Sequence, residues 1–121
     1  MSEKTVLIVD DSKVSRMMIS ALIKDLDSEL NQIEAENADQ ALKLAKQHPI
    51  DFFSVDLNMP GMNGLELIEI LQPDYPNARF SLLTANVQTD IKHRCDKLGI
   101  DYTEKPVTDT CIKSMLEYFN G

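Results

Sequence analysis

The chain has 121 residues, a hydrophobic fraction of 43% and a formal net charge of −8 at pH 7. This length predicts one compact domain over residues 1–121, with its own hydrophobic core and no second domain. The negative charge argues against a nucleic-acid-binding surface, because such surfaces depend largely on Lys and Arg contacts with phosphates.

Compartment signals in the sequence are those of a cytoplasmic protein. No apolar run approaches the roughly 20 residues that a membrane helix needs, so we expect no membrane insertion. The N-terminus from Met1 to Thr5 lacks the basic and apolar segments of a signal peptide. Cys95 and Cys111 have no metal-ligand spacing, and we expect both to be reduced thiols.

The chain begins with a strand and a helix. Residues 4–9 are β-branched and nearly all apolar, which is typical of a strand buried on both faces, and they stop at Asp10-Asp11. The helix that follows has Asp11 or Ser12 as its N-cap and fades near Leu26. Five apolar residues of this helix fall at helical spacing, and we interpret its two methionines as core residues: Val14, Met17, Met18, Ala21 and Leu22.

The next segments predict a strand, a helix and a second buried strand. Residues 32–36 alternate in polarity, which favours a strand at the edge of the sheet. Asn37 caps a helix that ends before His48 and turns alanines and a leucine inward. Residues 50–55 then form the third strand, which delivers Asp56 to its carboxyl end.

The second half of the chain repeats this alternation. Leu65, Ile68 and Leu71 form a helical stripe that Pro73 and Pro76 are expected to end. Residues 79–83 predict a fourth strand that ends at Thr84. The later elements are a helix carrying Val87, Ile91, Cys95 and Leu98 with Gly99 as its C-cap, a short strand over residues 100–103, and a last helix over residues 108–119.

Five strands alternating with five helices predict an α/β fold. This is a doubly wound, five-stranded parallel sheet of (βα)5 type, with helices on both faces. Right-handed crossovers and an edge position for the second strand favour the flavodoxin-like order 2-1-3-4-5. In that order the carboxyl ends of four strands share one rim, to which they bring Asp10, Asp11, Asp56, Thr84 and Lys105.

The chemistry of this rim favours phosphoryl transfer. Two unit charges about 4 Å apart repel by roughly 4 kcal/mol at an effective dielectric of about 20. Clustered carboxylates therefore demand either a proton or a cation, and hard oxygen ligands suit Mg²⁺. Lys105 adds a charge suited to a phosphate oxygen, and Thr84 adds a hydroxyl donor. Asp56 is then the predicted nucleophile, which would form an acyl phosphate.

Four motifs together resemble the receiver domain of two-component response regulators, of the stand-alone CheY-like kind. They are Val9-Asp10-Asp11-Ser12, residues 55–64 around Asp56, Leu83-Thr84-Ala85 and Lys105-Pro106. The resemblance runs from Lys4 to about Phe119 with the family's usual spacing.

The resemblance implies a metal-dependent phosphoryl acceptor. Asp56 is the implied acceptor, and Asp11 and Asp56 would hold Mg²⁺ (or Mn²⁺) with their side chains. Asn58 would add its backbone carbonyl, and Asp10 would assist through water. The implied donor is a phosphohistidine on a sensor histidine kinase or a phosphotransfer protein.

The resemblance also implies a switch. Thr84 and Lys105 would engage the phosphoryl group, and Pro106 would follow Lys105 through a cis bond that positions the lysine. Tyr102, three positions before Lys105, matches the family's switch aromatic. The fourth helix, fifth strand and fifth helix would then present an altered face to a target protein, in chemotaxis, a phosphorelay or another pathway. Such a protein is not a classical enzyme, although it catalyses its own phosphorylation and autodephosphorylation.

Three alternatives differ in class. A flavodoxin-type cofactor protein needs a phosphate loop after the first strand, where Asp10-Asp11 would repel phosphate. A haloacid-dehalogenase-type phosphatase needs a second aspartate where this chain has Asn58. A phosphorylation-independent receiver-like interaction module keeps the fold but not the chemistry, and it is the main alternative.

Overall fold

The computed structural model describes residues 4–121, so the predictions made for residues 1–3 lie outside the described residues. Strands and helices alternate along this range. The strands are β1 (Thr5–Val9), β2 (Asn31–Ala35), β3 (Phe52–Asp56), β4 (Arg79–Thr84) and β5 (Asp101–Glu104). The helices are α1 (Lys13–Leu26), α2 (Ala38–Gln47), α3 (Gly64–Asp74), α4 (Thr89–Leu98) and α5 (Asp109–Asn120).

The five strands form one sheet in the order β2-β1-β3-β4-β5, and every neighbouring pair is parallel. This confirms the predicted fold class and strand order. All five residues of β3 are buried, whereas β2 lies at the edge and buries only Ala35. The apolar run of β3 and the alternating pattern of β2 therefore reflect their positions in the sheet.

Two apolar clusters cover the two faces of the sheet. The first lies under α2, α3 and α4, and its aromatic centre is Phe53, whose ring stacks on Phe80 with centroids 4.6 Å apart. The second lies under α1 and α5, where the rings of Phe52 and Phe119 also stack at 4.6 Å. Three helices thus cover one face of the sheet and two cover the other, and the carboxyl rim is left for polar residues.

The predicted buried face of α1 is wrong, because the helix is rotated about its axis relative to the prediction. The buried side chains of α1 are Ile19 and Ile23, and the predicted Leu22 packs against the same cluster. In contrast, Met17 and Met18 are 59% and 47% exposed and Val14 is 66% exposed. The helix carries apolar residues on more than one side, so the spacing alone fits two rotations. Packing against α5 selects the side that carries the two isoleucines.

The remaining differences are small. Helix α3 runs one residue past Pro73 and ends at Asp74, two residues before Pro76. Gly99 caps α4 with a φ of 71°, as predicted, and helix α4 itself begins at Thr89, after Val87. Both cysteines are free thiols. Among residues 4–121, every helix is too short or too polar to cross a membrane.

Candidate functional site

The predicted rim residues meet at the carboxyl edge of the sheet. Asp10 follows β1, Asp56 is the last residue of β3, and Thr84 is the last residue of β4. Lys105 follows β5 and joins this edge through its backbone N–H, which donates to the Thr84 carbonyl at 2.8 Å. Four strand ends, separated by long stretches of sequence, therefore converge as the strand order predicts.

Asp10 is almost fully buried at the rim, with 1% of its surface exposed. Its Oδ1 accepts a hydrogen bond from the Ser12 backbone at 2.9 Å, and its Oδ2 accepts one from Ser15 Oγ at 2.7 Å. The guanidinium of Arg16 donates to the Asp10 carbonyl at 2.7 Å and to Glu34 Oε1 at 3.0 Å. The first turn of α1 thus fixes both the backbone and the carboxylate of Asp10.

Lys105 joins two carboxylates. Its Nζ lies 3.0 Å from Asp10 Oδ2 and 3.1 Å from Asp56 Oδ1, and 3.3 Å from Ser15 Oγ. Both acidic side chains are almost fully buried, at 1% and 6% exposed, while the lysine side chain is 21% exposed. A buried ion pair is stable only when its geometry and hydrogen bonds are good, and these contacts meet that condition.

Burial governs the charge of Asp56. Burial, and next the neighbouring carboxylate of Asp10, raise the pKa of Asp56 from 3.8 to about 6, although Lys105 acts in the opposite direction. Burial lowers the pKa of Lys105, but its hydrogen bonds with Asp10 and Asp56 outweigh this and hold the pKa above the ordinary value. At neutral pH the site therefore contains an ionised Asp56 beside a fully charged Lys105.

The rim has the donor set of a hard cation site. Asp10, Asp11 and Asp56 each offer a carboxylate oxygen, and these oxygens lie within 4.8 Å of one another. Asp11 is exposed and so open to solvent, while the other two are buried. Oxygen donors with one open side suit Mg²⁺, which keeps part of its water shell. The residues present therefore fit the predicted metal. Asn58 lies two residues after Asp56, in the loop that follows β3, and is exposed.

The loop after Asp56 is fixed by three local features. Gly61 adopts a left-handed conformation with a φ of 77°. Asn63 caps α3 in a capping box with Glu66, each side chain bonding the other's backbone at 2.9 and 3.0 Å. Gly64 packs directly against the carbonyl of Asp56, where an added Cβ would overlap it. The turn signals in the sequence therefore serve to bring α3 against the site.

The two predicted switch residues lie on neighbouring strands, Thr84 at the end of β4 and Tyr102 within β5. Thr84 is 1% exposed, and its Oγ1 accepts from the Asn86 backbone N–H and donates to the Asn86 carbonyl, both at 3.2 Å. Tyr102 is half-buried and packs on the apolar cluster under α4. The peptide bond between Lys105 and Pro106 is cis, as expected.

Two site residues escaped the sequence analysis. Ser15 and Arg16 both contact Asp10, from five and six positions further along the chain. The predicted N-cap could have indicated them. Because Ser12 caps α1, the residues three and four positions later lie in its first turn, close to the end of β1. To identify Ser15 and Arg16 from the N-cap, the prediction would also have had to take into account that helical side chains point toward the helix N-terminus.

Known proteins are similar to this chain in both sequence and structure. Residues 6–117 match the family described as the response regulator receiver domain. The chemotaxis protein CheY of Pseudomonas aeruginosa is 32% identical over 115 residues, which cover 93% of this chain and 92% of that protein. A structure of the Vibrio cholerae chemotaxis protein CheY4 superposes with a TM-score of 0.88 at 25% identity, covering 98% of this chain and 99% of that one.

The same similarity extends to part of a larger protein. A cyclic di-GMP phosphodiesterase of Thermotoga maritima is 35% identical over 104 residues. That match covers 85% of this chain but only 27% of the phosphodiesterase.

Proposed function

This chain belongs to the response regulator receiver domain family of two-component signalling, and we propose that Asp56 is its phosphoryl acceptor. The observation that carries the proposal is the contact of Lys105 with both Asp10 and Asp56 at the carboxyl rim. A carboxylate held beside a lysine and two further acids has the groups that phosphoryl transfer requires: a nucleophile, a cation and a metal site.

The proposed reaction moves a phosphoryl group from a histidine to Asp56. A carboxylate oxygen of Asp56 forms the new O–P bond while the N–P bond of the phosphohistidine breaks. The imidazole leaves with the electron pair of that bond and takes up a proton. With its pKa at about 6, Asp56 is ionised at neutral pH and is therefore ready to act as the nucleophile.

Each neighbouring residue has a proposed part in this step. Asp11, Asp56 and the backbone carbonyl of Asn58 would hold Mg²⁺ or Mn²⁺, with Asp10 acting through water. When bound, the ion neutralises charge on the phosphoryl oxygens. Lys105 turns from Asp56 to a phosphoryl oxygen, and its ammonium group balances the added negative charge. The domain thus catalyses its own phosphorylation and later its own dephosphorylation, rather than acting as a classical enzyme.

A rearrangement of Thr84 links phosphorylation to the surface. Its hydroxyl is paired with the Asn86 backbone, so it donates to a phosphoryl oxygen only after giving up that contact. The space that Thr84 leaves accepts the half-buried ring of Tyr102. We propose that this motion alters the surface of α4, β5 and α5, which then changes its affinity for a target protein.

The donor is proposed to be a sensor histidine kinase or a phosphotransfer protein. The chain spans nearly the full length of its CheY relative but about a quarter of the phosphodiesterase, so the family provides receivers both alone and inside larger proteins. For this chain we propose output by protein contact, as in a chemotaxis or phosphorelay pathway.

Intact-mass spectrometry tests the acceptor. The protein is incubated with acetyl phosphate and Mg²⁺, and a gain of one phosphoryl group is expected. The Asp56→Ala and Asp56→Asn variants should gain none, and omission of Mg²⁺ should abolish the gain. Asp74→Asn, which changes an exposed acid at the end of α3, is the matched control and should be labelled normally. Absence of labelling in the unaltered protein would favour the phosphorylation-independent interaction module.

Nuclear magnetic resonance tests the switch. Addition of beryllofluoride and Mg²⁺ should shift the ring signals of Tyr102 in the unaltered protein. Thr84→Ala should block that shift, and Thr84→Ser should restore it because the hydroxyl is kept. A ring that moves equally in both variants would disprove the coupling between Thr84 and Tyr102.

A further inference from the structure

Ser15 contacts both charged partners of the rim from the first turn of α1. Its Oγ donates to Asp10 Oδ2 at 2.7 Å and lies 3.3 Å from Lys105 Nζ. The lysine ammonium donates to that same carboxylate oxygen at 3.0 Å. The hydroxyl, the carboxylate oxygen and the ammonium therefore form a closed triangle of hydrogen-bonding atoms.

The number of hydrogen-bond donors on Lys105 matches the number of acceptors around it. An ammonium group has three N–H donors and no acceptor. Three acceptors surround it: Asp10 Oδ2 at 3.0 Å, Asp56 Oδ1 at 3.1 Å and Ser15 Oγ at 3.3 Å. Ser15 therefore completes the set, and its hydroxyl can accept from the lysine while donating its own proton to Asp10.

We propose that Ser15 is a positioning residue that holds Lys105 in place for phosphoryl transfer. The proposal rests on the proposed function of Asp56. When Asp56 takes up the phosphoryl group, Lys105 loses one of its acceptors. Its contacts with Asp10 and Ser15 remain, and they keep the ammonium within reach of the phosphoryl oxygens. A lysine has four rotatable side-chain bonds, so fixing its head before the reaction lowers the entropic cost of orientation.

The position of Ser15 also connects α1 to the loop after β5. Residues 15 and 105 are 90 positions apart, and the contact between their side chains spans the rim. Ser15 is half-buried, so its hydroxyl is shielded without being sealed from solvent. A shielded hydroxyl gives a better-defined contact than a surface one, because water competes with it less.

The test uses three variants of the whole chain. Ser15→Ala removes the hydroxyl, and Ser15→Thr keeps it on a similar side chain. Ser20→Ala is the matched control. It makes the same chemical change on the same helix, five residues after Ser15, at another half-buried position. Thermal unfolding is measured for each variant to confirm that the fold is kept.

The first readout is the mobility of Lys105 in EDTA-treated protein, without phosphorylation. A fixed lysine gives two distinct resonances for its pair of Hε protons, and a mobile one gives a single averaged signal. We expect the two resonances to stay apart in the unaltered protein, Ser15→Thr and Ser20→Ala, and to merge in Ser15→Ala. Unchanged separation in Ser15→Ala would overturn the proposal.

The second readout is the rate of labelling by acetyl phosphate and Mg²⁺. Loss of one hydrogen bond predicts a rate about twofold to tenfold lower in Ser15→Ala, with the rate recovered in Ser15→Thr and unchanged in Ser20→Ala. A Ser15→Ala protein with a mobile lysine and an unchanged rate would overturn the role of Ser15 in transfer. If the unaltered protein is not labelled at all, the proposed function fails, and the lysine resonances still decide whether Ser15 positions Lys105.

Discussion

Lys105 Nζ lies 3.0 Å from Asp10 Oδ2, although the two residues are 95 positions apart in the chain. The same ammonium lies 3.1 Å from Asp56 Oδ1. Lys105 thus places positive charge between two nearly buried carboxylates, which would otherwise repel each other. These carboxylates are also two of the three acids that fit a divalent cation, so we expect the lysine and a metal ion to compete for the same two carboxylates.

The competition predicts that Lys105→Met binds Mg²⁺ more tightly than the unaltered protein. Removing the ammonium frees both carboxylates and removes one positive charge from the neighbourhood of the ion. We expect an affinity several-fold higher, measured by calorimetric titration of EDTA-treated protein that has been returned to metal-free buffer. Phosphorylation by acetyl phosphate should be slower in the same variant, because the charge that balances the phosphoryl oxygens is gone.

Lys113→Met serves as the control for this change. Lys113 is exposed on α5, so its replacement alters the net charge equally without touching the rim. Equal gains in Mg²⁺ affinity for the two variants would mean that overall charge, rather than the contact with Asp10 and Asp56, governs binding.

The raised pKa of Asp56 predicts a pH-dependent stability in the absence of metal. The pKa is about 6 in the folded protein against 3.8 ordinarily, so between these values the folded state holds a proton that the unfolded state has lost. Stability contributed by this group is therefore present at low pH and is lost as the pH rises through about 6. The difference of about two units corresponds to roughly 2–3 kcal/mol, since the Asp56 side chain is only 6% exposed.

Asp56→Asn should remove this dependence, because an amide does not ionise. Urea unfolding in EDTA is expected to show a larger stability gain for Asp56→Asn at pH 8 than at pH 4.5. Asp39→Asn, on the exposed side of α2, should show no such trend. A carboxyl carbon signal of Asp56 that titrates near pH 4 in EDTA would contradict the assignment of a raised pKa.

Replacement of Gly64 and of Gly61 by alanine should affect stability and labelling differently. In Gly64→Ala the new Cβ overlaps the Asp56 carbonyl, so the backbone that carries the acceptor must move. We expect a loss of about 1–3 kcal/mol in the free energy of unfolding and labelling slowed at least tenfold. Gly61→Ala has open space but a φ of 77°, so it should cost about 1 kcal/mol and leave labelling nearly unchanged.

Urea denaturation and the acetyl phosphate reaction measure both quantities on the same samples. If Gly64→Ala were labelled as fast as Gly61→Ala, the close approach of α3 to Asp56 would have no bearing on the acceptor.

The polar ends of the strands were predictable because strand order alone fixes where they meet. Asp10, Asp56, Thr84 and Lys105 each end or directly follow a predicted strand, and parallel strands place such positions at one edge. Ser15 and Arg16 were missed because their contacts depend on the rotation of α1 about its axis. Helical spacing gives the period of a pattern but does not choose between two apolar faces.

The rotation of α1 gives a direct prediction of stability. Ile23 is fully buried against α5, whereas Met17 is 59% exposed, although both are apolar residues of one helix. Ile23→Ala removes buried methyl and methylene groups and leaves a cavity, so it should lower the free energy of unfolding by about 2–5 kcal/mol. Met17→Ala removes a side chain that is mostly exposed to solvent, and alanine has a slightly higher helix propensity. The free energy of unfolding should therefore change by no more than about 0.5 kcal/mol. Urea denaturation of the two variants compares these values, and similar losses for both would mean that α1 packs with the rotation that the spacing of Val14, Met17 and Ala21 favours.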